Sequence, residues 1–318
     1  MLKQLRRLHY VNKADLAFKA LTAFCAVLIF LTMIGMVLEL IQTSWLSIET
    51  FGIGFLFSKE WNPVTQEFGA LTSIYGTLVS TVLALLLAIP LSLVIALFLV
   101  EFAPPRLSRV VGAAIELLAA VPSIIFGMWG LFVFAPFMSE HLQPALSRHL
   151  GFLPIFQGPP MGIGYLSAGI ILALMILPFM SAIMRDVFMM VPAVVKEAAH
   201  GMGATTWEVT HKVTIRYGLL GLLGAVFLGL GRAIGETMAV TFVIGNSHSI
   251  STSLFDAGNS IASTLANEFT EASDPLYQST LLELGLVLFL LTISIQVLAQ
   301  WWVKRLRREF APGGGGGQ

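Results

Sequence analysis

Long apolar blocks separated by short polar stretches predict an all-α, polytopic membrane protein. The blocks fall at residues 16–42, 71–102, 110–138, 165–184, 218–244 and 279–303. Each reaches or exceeds the ~20 residues needed to cross a hydrocarbon core, so six transmembrane helices are expected. The first block is longer than the ~7–15 apolar residues of a signal-peptide core and predicts an uncleaved helix. Pro90 lies near the middle of the second block, and Pro122, beside Ser123, near the middle of the third. Mid-span prolines kink a helix and free a carbonyl that neighbouring helices must satisfy. Residues 43–70 read as an external loop carrying Trp45, Phe51, Phe55, Phe57 and Trp61. Such rings favour the membrane interface or a partner's surface. Residues 139–164 and 246–278 read as two further external segments. The chain then divides into an N-terminal segment (1–15), a first helix (16–42), the aromatic loop (43–70), a transmembrane domain (71–303) and a basic, Gly-rich tail (304–318), expected to be disordered from Pro312 on.

Residues 191–216, VPAVVKEAAHGMGATTWEVTHKVTIR, depart from this pattern. Pro192 suits a first helical turn, where a missing N–H costs nothing. Val194, Val195, Ala198 and Ala199 recur at helical spacing, and Gly201 and Gly203 permit a left-handed C-terminal turn. Thr205 followed by Glu208 is a capping box, which starts a second helix. The result is a knob of two short helices, too polar to span a bilayer. Glu197-Ala198-Ala199, Gly203 four positions further on and then Val213 resemble the EAA loop of ABC importer permeases. That family often has Leu-Pro where this chain has Ile215-Arg216. The resemblance implies that Glu197, Ala198, Ala199 and Gly203 belong to a coupling helix seated on a separate ATP-hydrolysing subunit.

Composition narrows the function. Of 318 residues, 56% are hydrophobic and 11% charged, against about 25% charged in soluble domains. Net charge is zero, which gives nucleic acid no basic surface. Cys25 is the only cysteine and the six histidines form no ligand motif, so no metal site is expected. No Gly-Lys-Ser or Gly-Lys-Thr occurs, so the chain has no P-loop and is expected to bear no catalytic residue and no cofactor. Fourteen of the 18 lysines and arginines fall before the first block, between the second and third, around the knob, or after the sixth. The alternate loops hold only Lys59 and Arg148. This bias predicts both termini and the knob on the cytoplasmic side.

One basic residue stands deep inside a block. Arg232 lies about 14 residues into the fifth, roughly 21 Å along a helix. At that depth a charge costs at least ~2.5–3.5 kcal/mol. Glu236 lies one turn further on, on the same face, with Thr237 beside it. An internal ion pair is one account, although Arg before Glu is the poorer helical order. An anion site is the other: the guanidinium offers charge and a fork for phosphate-like oxygens. Glu236 would accept the proton that phosphate keeps at neutral pH and repel sulfate. Gly221, Ala225 and Gly229, and separately Gly231, Gly235 and Ala239, form small-residue ladders that let helices approach closely. Glu116 is a second-line candidate as a buried acid.

The segments VPSIIFGMWGLFVFAP (121–136), GLGRAIGETMAVTFVIGN (229–246) and NSIASTLANEF (259–269) resemble PstC-type permeases of bacterial phosphate importers. That resemblance implies a type I ABC importer (MetI-like) fold in the bacterial inner membrane. It implies a substrate path through Arg232 and Glu236, with Thr237 and Ser123 beside it. The partners it implies are a PstA-type permease, a PstB-type ATPase dimer holding ATP and Mg, and a PstS-type phosphate-binding protein. A permease for sulfate, molybdate or phosphonate, and an ATP-independent ion-coupled carrier or channel, are the competing expectations.

Overall fold

The computed structural model describes residues 13–310. Among them there is no β-strand, and six helices are long and apolar enough to cross a membrane. In chain order the helices are α1 (Lys13–Thr43), α2 (Leu71–Phe102), α3 (Pro105–Ala119), α4 (Ser123–Leu150), α5 (Tyr165–Met189), α6 (Ala193–Gly201), α7 (Thr206–Ile234), α8 (Met238–Val243), α9 (Ile261–Glu268) and α10 (Pro275–Phe310). Two short helices, Trp45–Phe51 and Gly54–Phe57, follow α1.

Helix α5 is the centre of the bundle. Ile171, Leu172, Met175, Ile176, Met180 and Met184 are all buried, among α2, α7 and α8. Helix α2 meets it through a seam of small and hydroxyl residues, Ser80, Ala84, Ala88, Ser92 and Ala96, and runs unbroken past Pro90. The Ser92 hydroxyl donates to the Leu177 carbonyl at 3.2 Å, which satisfies a polar group in a region without water. On α7, the ladder of Gly221, Ala225 and Gly229 faces α5. A Cβ at Gly221 would lie 2.7 Å from Val187, and one at Gly229 would lie 2.6 Å from the Met180 sulfur. Lipid supplies no hydrophobic driving force between helices, so this closeness stabilises through van der Waals contact. In the second ladder Gly231 approaches Gln296 of α10, Ala239 packs on Gly127 of α4, and a Cβ at Gly235 would meet only the Gly231 carbonyl, at 3.6 Å.

Two crossing segments differ from expectation. Residues 110–138 are not one helix. Pro122 pushes the residue before it out of the helical region, so α3 stops at Ala119 and α4 begins at Ser123. The crossing helix is α4, which continues to Leu150 through two π turns. Residues 139–150, expected as loop, are therefore helical, because polar side chains at a helix end do not stop backbone hydrogen bonding. Helix α3 carries Arg106, Arg109 and Glu116 and packs Gly112 against the Arg185 guanidinium of α5. The fifth crossing is also interrupted. Helix α7 ends at Ile234, Gly235–Thr237 leave the helix, and α8 resumes at Met238. At the C-terminus, α10 extends helically to Phe310, beyond the expected end of the sixth block at residue 303. The polyglycine run and the basic N-terminal residues 1–12 lie outside the described residues.

The aromatic loop folds inward. Phe55 and Phe68 are fully buried with Ile261, Tyr277, Leu281 and Leu284, while Phe57 and Trp45 stay exposed. Hydroxyls fix its start to α10: the Ser279 hydroxyl donates to the Thr43 carbonyl at 2.9 Å, and Ser47 and Thr280 are 3.1 Å apart.

Candidate functional site

The interruption at Gly235–Thr237 revises the relation between Arg232 and Glu236. Gly235 is a weak helix former, and the helix that would have stacked the two side chains ends before Glu236. Glu236 instead turns forward, and its Oε1 accepts the Ala239 backbone N–H at 3.1 Å. It thereby satisfies a free donor in the first turn of α8. No ion pair joins Arg232 to Glu236 among the described residues. The Arg232 guanidinium lies 5.2 Å from the centre of the Phe179 ring on α5. Among the described residues it makes no hydrogen bond. A half-buried cation is thus held by a ring face with its N–H fork unused. Cation–π contact of this kind is worth ~0.5–2 kcal/mol.

The two interruptions face one another. Helix α4 starts at Ser123, and one turn on Gly127 lies against Met238 and Ala239 at the start of α8; a Cβ there would be 2.9 Å from the Met238 carbonyl. Ser123, Arg232, Glu236 and Thr237 are all half-buried. Glu236 and Thr237 lie in one break, Arg232 a few residues before it, and Ser123 at the other. Glu116 does not belong with them. Its side chain is 57% exposed and accepts from Arg185 at 2.5 Å, at the foot of α5. The expected buried acid is an exposed one, because it rides on α3, which is amphipathic and separate from the crossing helix.

The knob has the turn and caps its sequence specifies, but its second helix is not short: it is the start of α7 and runs on through a π turn to Ile234. Pro192 sits just ahead of α6 in an extended conformation. The C-terminal turn is a Schellman motif: the Ala204 N–H reaches the Ala199 carbonyl at 3.1 Å and the Gly203 N–H the His200 carbonyl at 2.9 Å. Gly203 alone takes the positive φ, +88°, while Gly201 stays helical. The Thr205–Glu208 capping box forms in both directions, at 3.3 and 3.1 Å. Ala199 is buried beneath the knob, whereas Glu197 and Ala198 are exposed. Around them Val194, Met202 and Trp207 are 74%, 84% and 70% exposed. Exposed apolar groups gathered in this way suit contact with a protein or a membrane.

A third group of residues was not singled out from the sequence. Glu268, at the end of α9, accepts from Trp61 at 2.5 Å, Tyr277 at 2.6 Å and His248 at 3.0 Å. Asn259 donates to the other His248 nitrogen at 2.9 Å, and Trp61 stacks on the imidazole at 5.1 Å. These residues tie the aromatic loop to segment 246–278. Burial alone raises the Glu268 carboxyl, but the hydrogen bonds from His248, Tyr277 and Trp61 outweigh it and hold the group below the ordinary glutamate value. A lowered folded-state pKa contributes stability above the unfolded value of ~4.3, and that stability is lost as pH falls through the folded value. Acidification below about pH 4 should therefore loosen this contact. Amide exchange across 246–278 would report it, and Glu268→Gln should show the faster exchange already at neutral pH.

Comparison with known proteins completes the picture. Residues 88–308 match the family described as binding-protein-dependent transport system inner membrane component. Over 299 residues the chain is 50% identical to the phosphate transport system permease protein PstC of Pasteurella multocida, with 93% of each chain covered. Over 296 residues it is 51% identical to that of Mesorhizobium japonicum, covering 92% of this chain and 90% of the relative. Among solved structures it is similar to a chain of a bacterial alginate ABC transporter, solved with its alginate pentasaccharide-bound periplasmic protein. The TM-score is 0.62 at 16% identity, with 94% and 98% of the two chains covered. That likeness carries the fold.

Proposed function

The chain belongs to the PstC family of phosphate transport system permeases, within the binding-protein-dependent transport system inner membrane components, and from that premise we propose how it handles phosphate. It is a multi-pass membrane permease of an ABC importer, and it works with other subunits rather than catalysing a reaction itself. Phosphate passes Arg232, whose unused guanidinium fork matches tetrahedral oxygens in a planar, bidentate way. Glu236 keeps one carboxylate oxygen on the Ala239 N–H and offers the other to the proton of monohydrogen phosphate. Thr237 and Ser123 flank the path as neutral hydroxyls. The observation that supports this reading is a half-buried arginine beside two facing helix breaks, with no carboxylate paired to it among the described residues.

The remaining assembly follows the same premise. A PstA-type permease would close the open side of the path, and a PstS-type protein would deliver phosphate to the face carrying Trp61 and Glu268. A PstB-type ATPase dimer, holding ATP and Mg, would receive α6 with Glu197, Ala198, Ala199 and Gly203. The complex would lie in the bacterial inner membrane with both termini and the knob cytoplasmic, consistent with the basic residues that flank α1, α3 and α10.

The test is uptake of radiolabelled phosphate into proteoliposomes holding the chain, its two partner subunit types and the loaded binding protein. Uptake that needs ATP and resists competition by excess sulfate is expected. Uptake without ATP, or equal transport of sulfate, would overturn the reading.

A further inference from the structure

Glu101 closes a three-way contact that joins the knob to two crossing helices. It lies in the last turn of α2 and its side chain is only 10% exposed. Its Oε1 accepts from the Lys196 ammonium of α6 at 2.7 Å and from the Thr214 hydroxyl of α7 at 3.0 Å. Lys196 directly precedes Glu197, so the contact is made by the helix whose other face carries the exposed Glu197 and Val194. Both Glu101 and Thr214 sit in π turns, Phe98–Phe102 and Thr210–Thr214. Such turns are rare, locally widened and concentrated at functional positions. Here a hydroxyl and an ammonium from separate helices meet on one carboxylate oxygen.

The geometry points to Glu101, Lys196 and Thr214 as the strut that ties displacement of α6 to α2 and to α7, which itself begins in the knob, and so to the Arg232 break at the far end of α7. A charge pair this little exposed cannot be pulled apart without leaving an unpaired charge in a poorly hydrated place. When α6 moves, separation is therefore costlier than carrying α2 and α7 along. The hydroxyl adds direction, because it ties the start of α7 to the same oxygen. Ala199 and Val209 are also buried beneath the knob, and apolar contacts of that kind slide more readily than a hydrogen-bonded pair. These three act as positioning residues, and the inference rests on α6 being the ATPase contact.

The experiment measures phosphate imported per ATP hydrolysed in the reconstituted complex, alongside ATPase binding to the permease. Glu101→Gln and Lys196→Gln should keep ATPase binding and lower the import ratio about tenfold, within the range by which residues between coupled sites alter coupling. Exchanging the pair, Glu101→Lys with Lys196→Glu, should restore most of the ratio, since Thr214 can accept from an ammonium as well as donate to a carboxylate. A purely structural role would change the amount of assembled complex and leave the ratio alone. A native ratio in Glu101→Gln, or an assembled exchange variant as uncoupled as the single changes, would overturn the strut. Should the single variants fail to assemble, Thr214→Val carries the test, being close in shape and neutral. It should lower the ratio about threefold, and a native ratio would overturn the proposal. Glu197→Lys separates the two levels of inference. If it leaves ATPase binding and coupling intact, the docking role of α6 falls. If it disrupts them while Glu101→Gln is native, the strut alone falls.

Discussion

Arg232→Gln is expected to stop phosphate uptake while the complex still assembles. An anion at mid-membrane loses its hydration, and the guanidinium replaces it with charge-assisted hydrogen bonds worth ~1.5–3 kcal/mol each. Losing two of them lowers transport by roughly a hundredfold or more. The effect on folding is much smaller. Arg232 holds no ion pair among the described residues and rests on Phe179, so the change forfeits only ~0.5–2 kcal/mol of cation–π contact. The close packing of Gly221 and Gly229 on α5 is untouched. Arg232→Lys should recover little, since an ammonium supplies a point charge without the planar fork. Glu236→Gln keeps an oxygen for the Ala239 N–H and should chiefly relax the discrimination of phosphate from sulfate. Uptake and assembly are measured in each variant and in the apolar double, Arg232→Met with Glu236→Leu. Uptake that survives in the double would remove Arg232 as the phosphate contact.

The residues that carried this reading were legible for different reasons. Blocks 71–102 and 165–184 coincide closely with α2 and α5 because both are uniformly apolar and begin after polar or Gly-rich turns. Block 110–138 misled because hydropathy sums across Pro122, where proline disfavours helix at the residue before it and the helix does break, unlike at Pro90 and Pro178 within α2 and α5. The arginines at 106 and 109 carried the missing signal: a helix with that polar stripe belongs beside the membrane crossing, not within it. Arg232 was legible from the cost of burying a charge. Its relation to Glu236 was not, because spacing of i+4 assumes an unbroken helix and Gly235 breaks it. The contact of Trp61, His248, Asn259, Glu268 and Tyr277 was hidden for a plainer reason. Its members come from distant parts of the sequence, and only the folded chain brings them together. The same holds for Glu101, an unremarkable acid at the end of an apolar block until α6 packs against it.

The knob allows backbone strain and surface chemistry to be tested separately. Gly203 has φ +88° and open space where a Cβ would go. Replacement therefore meets no clash, and its cost is the left-handed backbone itself, ~1–2 kcal/mol for an L-residue and more for a β-branched one. Gly203→Val should open the Schellman turn and misalign α6 with the capping box at Thr205, while the crossing helices keep their packing. Phosphate-stimulated ATP hydrolysis in the reconstituted complex should fall severalfold, with Gly203→Ala intermediate. Trp207→Ala probes the surface without touching the backbone. The ring is 70% exposed and stacks only on His211, at 5.9 Å, so its loss should leave the isolated permease as stable as before. A buried interface tryptophan is worth ~2 kcal/mol or more, which predicts roughly thirtyfold weaker ATPase binding. Binding of the ATPase to detergent-solubilised permease and thermal unfolding of the permease alone are the two measurements. Native affinity in Trp207→Ala together with native coupling in Gly203→Val would take the ATPase contact away from this loop. Weakened binding at unchanged permease stability would fix it there, because a ring that packs on almost nothing in the free chain can matter only to a partner.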